Sequence, residues 1–360
     1  MMIFFVFEGY LLPIKIERRD TYMRRLVPVF ILLLLAPALG ELLLGDIPFS
    51  FQLIPIFLLD MALYGAGAIL IRETVRRRDL GWTGILLLGT AYGLAEEGLA
   101  TQSLFNPHFP GVELGTYGSL FGVNWVWSLY VLGLHIIWSI SIPILLTELL
   151  FFNQRKDTWL RLPGMCITGF IYIFSLVIVA IMYVNLTNFS ASLMLICCTL
   201  LLIIGIILLT LRLHVLPADT LLNRNIRGVP SKWTIGIISF FAGAIFFGVH
   251  EIFPSVFMIP ASVPVLIDLV LFVVVILLSR CWLSQHNQWK DSHSLAFVSG
   301  SILNTLLFGF FVAAGNTMNV IFHAILCVIT IGLLVIFNWK LHKRNIYYKN
   351  VEMESNITID

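Results

Sequence analysis

The sequence predicts an all-α fold, a polytopic transmembrane helix bundle of about ten spans with both termini on the inner side. Three observations predict it. Hydrophobic residues make up 59% of the chain and charged residues only 12%, whereas a soluble domain carries roughly 25% charged residues. Ten apolar stretches approach the length of about 20 residues that a helix needs to cross the hydrocarbon core. Lysine and arginine are confined to alternate connections between these stretches.

The predicted spans follow one another with short connections, so we expect a single integral membrane domain over residues 1–360. In chain order, the predicted spans are Leu26–Leu44, Phe51–Ile71, Trp82–Phe105, Trp125–Phe152, Leu162–Val184, Leu193–Leu211, Thr234–Phe253, Pro264–Leu283, Leu295–Ala314 and Asn319–Trp339. The fifth and sixth contain no charged residue, and we expect them to face lipid or a partner subunit.

Basic residues give the expected orientation. Of the 22 lysines and arginines, 21 fall in the N-terminal arm, in every second connection and in the C-terminal tail, and Arg280 lies in the last turn of the eighth span, beside such a connection. Because short loops that carry positive charge stay on the inner side, both terminal segments, 1–25 and 340–360, are predicted to be cytoplasmic. The chain is therefore expected to be a multi-pass protein of the cell membrane. Its net charge of +2 is too small to indicate a nucleic-acid partner.

The sequence contains no cofactor motif. Its five cysteines lack CxxC spacing, and neither HExxH nor Gly-x-Ser-x-Gly occurs. We therefore expect no cofactor and no activated serine or cysteine nucleophile. Zinc stays open, because separate histidines and a glutamate are ligands that zinc accepts.

Two adjacent carboxylates, Glu96 and Glu97, lie inside the third predicted span. Placing a charge at membrane depth costs roughly 2.5–3.5 kcal/mol on insertion scales. A helix that served only as a membrane anchor would gain nothing from two such charges. Glu96 follows Trp82 by fourteen residues, which is about 21 Å of helix in a core about 30 Å thick. The pair is therefore predicted to lie in the outer half of the bilayer and to mark a functional site.

Three histidines are predicted at a similar depth. His135 lies about 15 Å below the outer boundary, His250 closes the seventh span, and His323 lies near the outer start of the tenth. Each also has a structural interpretation, since polar side chains in membranes often form contacts between helices. Glu148, near the inner end of the fourth span, is expected to reach solvent by snorkelling.

These groups suit hydrolysis. A glutamate that is removed from water can accept a proton from a water molecule, which then attacks a peptide carbonyl, and a histidine can orient the water or stabilise the oxyanion. The candidate catalytic residues are Glu96, Glu97, His135, His250 and His323. We expect Glu96 to be the base and Glu97 its electrostatic or structural partner, with a membrane protein or peptide as substrate.

The segment Glu96-Glu97-Gly98-Leu99-Ala100-Thr101 resembles the EExxxR motif of the CAAX-protease and bacteriocin-processing (CPBP, or Abi) intramembrane glutamate proteases. This superfamily includes PrsW-like proteases and the APH-like subunit of γ-secretase. Phe246-Phe247-Gly248-Val249-His250 matches the family's FxxxH motif, whereas HxxxN is not matched and Thr101 stands where the motif has arginine. The resemblance implies that the first glutamate activates water and that histidines on later helices assist.

Two other functions use the same residues. Intramembrane carboxylates can relay protons in a proton-coupled transporter, although no inverted repeat is evident. A non-catalytic membrane subunit or chaperone is the other alternative, and Thr101 in place of arginine favours it. Peptide cleavage, proton flux and a co-purifying partner would distinguish the three.

Overall fold

The computed structural model describes residues 25–112, 115–212, 228–251, 259–285 and 288–357. These residues form ten long helices, a single 3₁₀ turn at Phe152–Gln154 and one antiparallel hairpin, β1 Ser119–Leu120 with β2 Val123–Asn124. The helices are α1 Arg25–Leu42, α2 Leu53–Arg78, α3 81–100, α4 Trp125–Leu150, α5 Leu162–Thr187, α6 Leu193–Arg212, α7 Lys232–Glu251, α8 Ser262–Leu283, α9 Asp291–Ala313 and α10 Thr317–Ile357. The predicted N-terminal arm lies outside the described residues except for Arg25.

The all-α membrane bundle is confirmed. In the described part of the chain, nine helices are long and apolar enough to cross a membrane. The remaining long helix, α3, carries Glu96 and Glu97 together with several glycines, which lower its hydropathy. It packs against α2, α4, α5 and α6. The helix that holds the glutamates is therefore enclosed by other helices.

Three helix ends lie five or more residues from the predicted ones. Helix α2 continues to Arg78, so four arginines that were expected in a connection belong to its last turns. Helix α3 ends at Ala100 rather than Phe105, because Gln102 adopts a left-handed conformation with φ of 55°. Helix α10 continues to Ile357, well beyond the predicted span.

The bundle has an enclosed part and a lipid-facing part. Helix α4 is the most enclosed candidate span. In its most apolar stretch of 18 residues 67% are buried, whereas the corresponding share is 11% for α5, α6, α8 and α10. The exposed apolar surface of α5 and α6 agrees with their predicted contact with lipid. The sidedness of the bundle stays a prediction.

Each of the first four helices contains one π-helical segment, in which the backbone hydrogen bonds run from residue i to i+5. The segments are Ala38–Leu42, Met61–Gly65, Ala95–Ala100 and His135–Ser141. Such segments are rare and often occur at functional sites. All four carry polar residues of one buried region, which is described below.

The connection between α3 and α4 folds over the helix ends. The backbone N–H of Asn124 donates to the Leu104 carbonyl at 2.8 Å, and the Asn124 side chain caps α4 by accepting from the Trp127 N–H at 3.0 Å. Gln102 accepts a hydrogen bond from the Ala191 N–H at 2.7 Å, which ties this connection to the one between α5 and α6. These contacts cover the end of α3 that carries the glutamates.

The opposite end of the bundle is held by a buried ion cluster. Arg72 is fully buried and contacts Glu73 at 2.8 Å and Glu148 at 3.1 Å. Arg76 binds both oxygens of Glu148, at 2.7 and 2.6 Å. The expectation that Glu148 is solvated is therefore wrong. Its carboxylate is buried because two arginines of α2 supply its hydrogen bonds, as the desolvation of a charge requires.

Replacing Glu148 by alanine is expected to lower the free energy of unfolding by about 3–5 kcal/mol, because Arg72 and Arg76 would lose their shared buried counter-charge. The measurement is thermal unfolding of the purified protein in detergent. Arg78→Ala, which removes an exposed charge from the same helix end, is the control and should leave the unfolding temperature nearly unchanged. Equal shifts in the two variants would contradict a stabilising role of the cluster.

Candidate functional site

A hydrogen bond between α3 and α4 joins Glu97 to His135. The Nε2 atom of His135 lies 2.8 Å from Oε1 of Glu97, and both residues are buried, with exposed fractions of 1% for His135 and 6% for Glu97. An ionised acceptor makes such a bond stronger than one between neutral groups. The contact fixes the imidazole ring relative to the glutamate pair.

The second oxygen of Glu97 is satisfied by hydroxyl groups. Thr101 donates to Oε2 at 2.9 Å, and Ser103 donates to the same oxygen. Ser103 in turn accepts from the indole N–H of Trp127 at 2.9 Å. Thr101, at the arginine position of the resembled motif, therefore serves as a neutral donor to the second glutamate.

Glu96 has a different environment. Its Oε2 atom is buried without a hydrogen-bond partner among the described residues, and it lies 3.7 Å from Nδ1 of His135. That separation is too long for a direct hydrogen bond. A molecule with both donor and acceptor groups, such as water, could contact both atoms at ordinary distances. Glu97 is thus held in place, whereas Glu96 presents an unsatisfied oxygen.

Close helix packing completes the far side of the imidazole. A Cβ atom on Gly40 of α1 would lie 2.6 Å from Oγ of Ser139, so only glycine allows α1 to approach α4 at this point. The Ser139 hydroxyl lies 3.3 Å from Nδ1 of His135. The π segments of α1 and α4 therefore meet beside the histidine.

Two tyrosines and further carboxylates surround the group. The rings of Tyr64 and Tyr92 lie 5.7 and 5.9 Å from the His135 ring. Tyr64 donates its hydroxyl hydrogen to Glu41 at 2.6 Å. Glu41 and Asp60 are near enough to Glu96 to interact with it electrostatically. The region is therefore rich in carboxylates, and His135 is the basic side chain that contacts Glu96 and Glu97.

The glutamate pair and His135 can also accept a metal ion. Each offers one ligand atom, and these atoms lie within 4.8 Å of one another. Two carboxylates and an imidazole are donors found at zinc and other transition-metal sites. The set of three histidines and a glutamate considered from the sequence is not brought together in the described structure.

His250 occupies a separate pocket. Its Nε2 atom pairs with Oδ2 of Asp268 on α8, and both residues are buried. Its ring packs against Tyr130 of α4 with a centroid distance of 4.7 Å. Tyr130 and His135 are five residues apart, about 140° around a helix. His250 therefore lies against a different face of α4 from the one that carries His135 to the glutamates.

His323 forms an interhelical contact. Its Nε2 atom donates to the Leu306 carbonyl at 2.9 Å, and its ring meets the edge of Phe310 at 4.7 Å. These contacts join α10 to α9. Of the five predicted catalytic residues, the structure thus joins Glu96, Glu97 and His135, and gives His250 and His323 partners of their own.

Sequence reasoning missed several residues around the site. Glu41 was available as a lone carboxylate in the first apolar stretch, which is the same signal that identified Glu96. Tyr64, Tyr92, Ser103 and Ser139 carried no comparable signal. Tyrosine and serine are ordinary residues of apolar helices and loops, and only the helix packing shows which of them face a carboxylate.

The comparisons with known proteins give a family. A family model described as an uncharacterized membrane protein family matches residues 30–339. The chain belongs to this family. Neither a curated protein nor a solved structure matches it. The family match supports a membrane protein with several spans, while the resemblance to glutamate proteases stays a prediction.

The unequal environments of the two glutamates predict unequal effects on stability. Glu97→Leu is expected to lower the unfolding temperature clearly, because three donors lose their acceptor and hydrogen bonds to charged groups contribute about 1.5–3 kcal/mol each. Glu96→Gln should leave that temperature unchanged or raise it, since it removes a buried charge whose Oε2 has no partner. Thermal unfolding in detergent measures both. A larger loss in Glu96→Gln than in Glu97→Leu would contradict the assignment.

Proposed function

We propose that the protein is an intramembrane peptidase that hydrolyses a peptide bond with a glutamate-activated water. The observation that carries the proposal is the buried contact of Glu96 and Glu97 with His135, in which one glutamate is fully bonded and the other retains a free oxygen. This is the arrangement expected of a base beside a positioned histidine.

The roles follow from the contacts. Glu96 is the base, because its unpartnered Oε2 can accept a proton from a water held between it and His135. Glu97 holds His135 and stabilises the positive charge that the imidazole gains when it is protonated. His135 is the group that orients the water or donates to the oxyanion. His250 and His323 have no part in this step.

We also propose that the protein lies in the cell membrane with both termini inside, which would place the site in the outer half of the bilayer. The basic connections support this orientation. The end of α3 that carries the glutamates lies away from the buried arginine cluster, and His135 lies thirteen residues before Glu148 on α4. A peptide substrate would then enter from the lipid or from the outer face, past the connection between α3 and α4.

Glu96→Gln is expected to abolish cleavage while the protein remains folded. Loss of the base should lower the rate by about 10²–10⁴-fold, the usual contribution of proton transfer. The measurement uses the full chain in liposomes with membrane-spanning peptides that carry a fluorophore and a quencher on either side of their outer half. His250→Gln and His323→Gln, which leave the glutamate pair untouched, are the matched controls and should retain cleavage. Full activity of Glu96→Gln would refute the proposed base.

Removing divalent metals is expected to leave cleavage unchanged, because the proposed base is the carboxylate itself. Activity is measured before and after treatment with EDTA and an excess of a zinc-selective chelator, and the metal content of the protein is measured in parallel. Loss of activity that zinc alone restores would replace this mechanism with metal-assisted hydrolysis at the same three ligands.

A second function is favoured by Glu41 and Asp60. A chain of carboxylates that extends from Glu96 into α1 and α2 is a feature of proton-coupled transport, and a peptidase has no evident use for it. Substrate-dependent proton uptake into liposomes, lost in Glu41→Gln and without any peptide cleavage, would support this alternative.

A further inference from the structure

A basic cavity lies where three helices reach the same face of the bundle. It has a volume of about 580 Å³ and is lined by Lys232 at the start of α7, by Lys290 and His293 at the start of α9, and by His342 of α10. Among the described residues, no acidic side chain lines it. Asp291, the nearest carboxylate in sequence, is already paired with Arg344 at 2.6 Å and Arg155 at 3.1 Å. The cavity therefore carries uncompensated positive charge.

The backbone adds to this charge. Helices α7 and α9 both begin at the cavity. The helix dipole places partial positive charge at both starts, where the Thr234 N–H already donates to the Ser231 hydroxyl at 3.2 Å and the His293 N–H to the Lys290 carbonyl at 2.8 Å. Two lysines together with two helix starts favour an anion that accepts several hydrogen bonds, such as a phosphate group.

An apolar groove continues from the cavity along α7 and α9. The groove has a volume of about 410 Å³ and shares Lys232, Ser292 and Asn338 with the basic cavity. Beyond these three residues its walls are mainly apolar, and Ile237, Phe241 and Leu303 are exposed along it. Since both helices are candidate membrane spans, the groove runs from the charged end of the bundle into the depth of the hydrocarbon core.

Close packing of the two helices forms the back of the groove. A Cβ atom on Gly300 would lie 2.1 Å from the carbonyl oxygen of Gly236, so the backbones touch there. Deeper along the same contact, Ser239 donates to the Phe297 carbonyl at 2.6 Å. The groove is thus a fixed feature between rigidly paired helices.

We propose that the cavity and the groove together bind one anionic phospholipid. Its phosphate lies between Lys232 and Lys290, and one acyl chain lies in the groove between α7 and α9. The continuity of a basic cavity with an apolar groove matches a charged headgroup joined to a hydrocarbon chain. A zwitterionic lipid matches only the groove, because its own cation would face the two lysines.

The test is a lipid titration of the delipidated full-length protein, followed by native mass spectrometry. The probes are phosphatidylglycerol and phosphatidylcholine with identical acyl chains, glycerophosphoglycerol without chains, and inorganic phosphate. Phosphatidylglycerol should bind at least about tenfold more tightly than phosphatidylcholine. Replacing one cavity lysine by glutamine should lower the affinity for phosphatidylglycerol about fivefold, the factor expected for one positive charge near a lipid surface. The double variant Lys232→Gln/Lys290→Gln should therefore lower the affinity for phosphatidylglycerol about 25-fold and leave the affinity for phosphatidylcholine unchanged.

Lys340→Gln/Lys343→Gln is the matched control, because both lysines belong to α10, close to His342, and neither lines the cavity. It should retain the preference. Ser299→Phe, which fills the groove, should weaken phosphatidylglycerol without changing the unfolding temperature. An equal loss of phosphatidylglycerol affinity in the cavity double variant and in the control double variant would overturn the site. Binding of glycerophosphoglycerol or inorganic phosphate as tight as that of the lipid would overturn the lipid as its occupant.

Discussion

The hydrogen bond between Glu97 and His135 is the interaction on which the candidate site depends. A glutamate inside a membrane bundle is stable only when donors replace the water it has lost. Glu97, on α3, has three such donors: His135 of α4, and Thr101 and Ser103 of the connection that joins the two helices. Because they come from separate elements, the bond fixes the relative position of α3 and α4. Glu96, one residue away on α3, is carried to its place by the same arrangement.

The π segments follow from the same requirement. An α-helix places successive residues about 100° apart, which directs adjacent glutamates to different surfaces. A segment with i to i+5 hydrogen bonds shifts the register by one residue and changes which side chains point inward. Such a segment occurs in α1 with Glu41, in α2 with Tyr64, in α3 with the glutamate pair and in α4 with His135. Irregular backbone is concentrated where the polar side chains meet, as expected of a functional site.

The fold was largely predictable from the sequence, and the site only in part. Membrane thickness determines how long an apolar stretch must be, so all ten helices were identified, with errors only at their ends. Depth along a helix also follows from the sequence, which is why Glu96 and His135 were assigned to one level. Direction around a helix does not follow from it, since spans that are apolar on every face give no periodic signal. His250 and His323 were therefore expected to join a site that they do not touch.

Thr101 has a consequence for the charge of the site. An arginine at that position would offset one glutamate, whereas the Thr101 hydroxyl satisfies Oε2 of Glu97 as an acceptor and leaves the charge in place. Glu96 and Glu97 contact one histidine, and Glu41 and Asp60 lie close enough to Glu96 to interact with it electrostatically. So much negative charge without a counter-ion is strongly unfavourable away from water. Protons or another cation must offset it. Oε2 of Glu96 is buried and has no hydrogen-bond partner among the described residues, so it is the natural place for an exchangeable proton. An exchangeable proton on Glu96 is needed by a general base and by a proton carrier alike. Cleavage of a peptide bond at the site is what distinguishes the two functions.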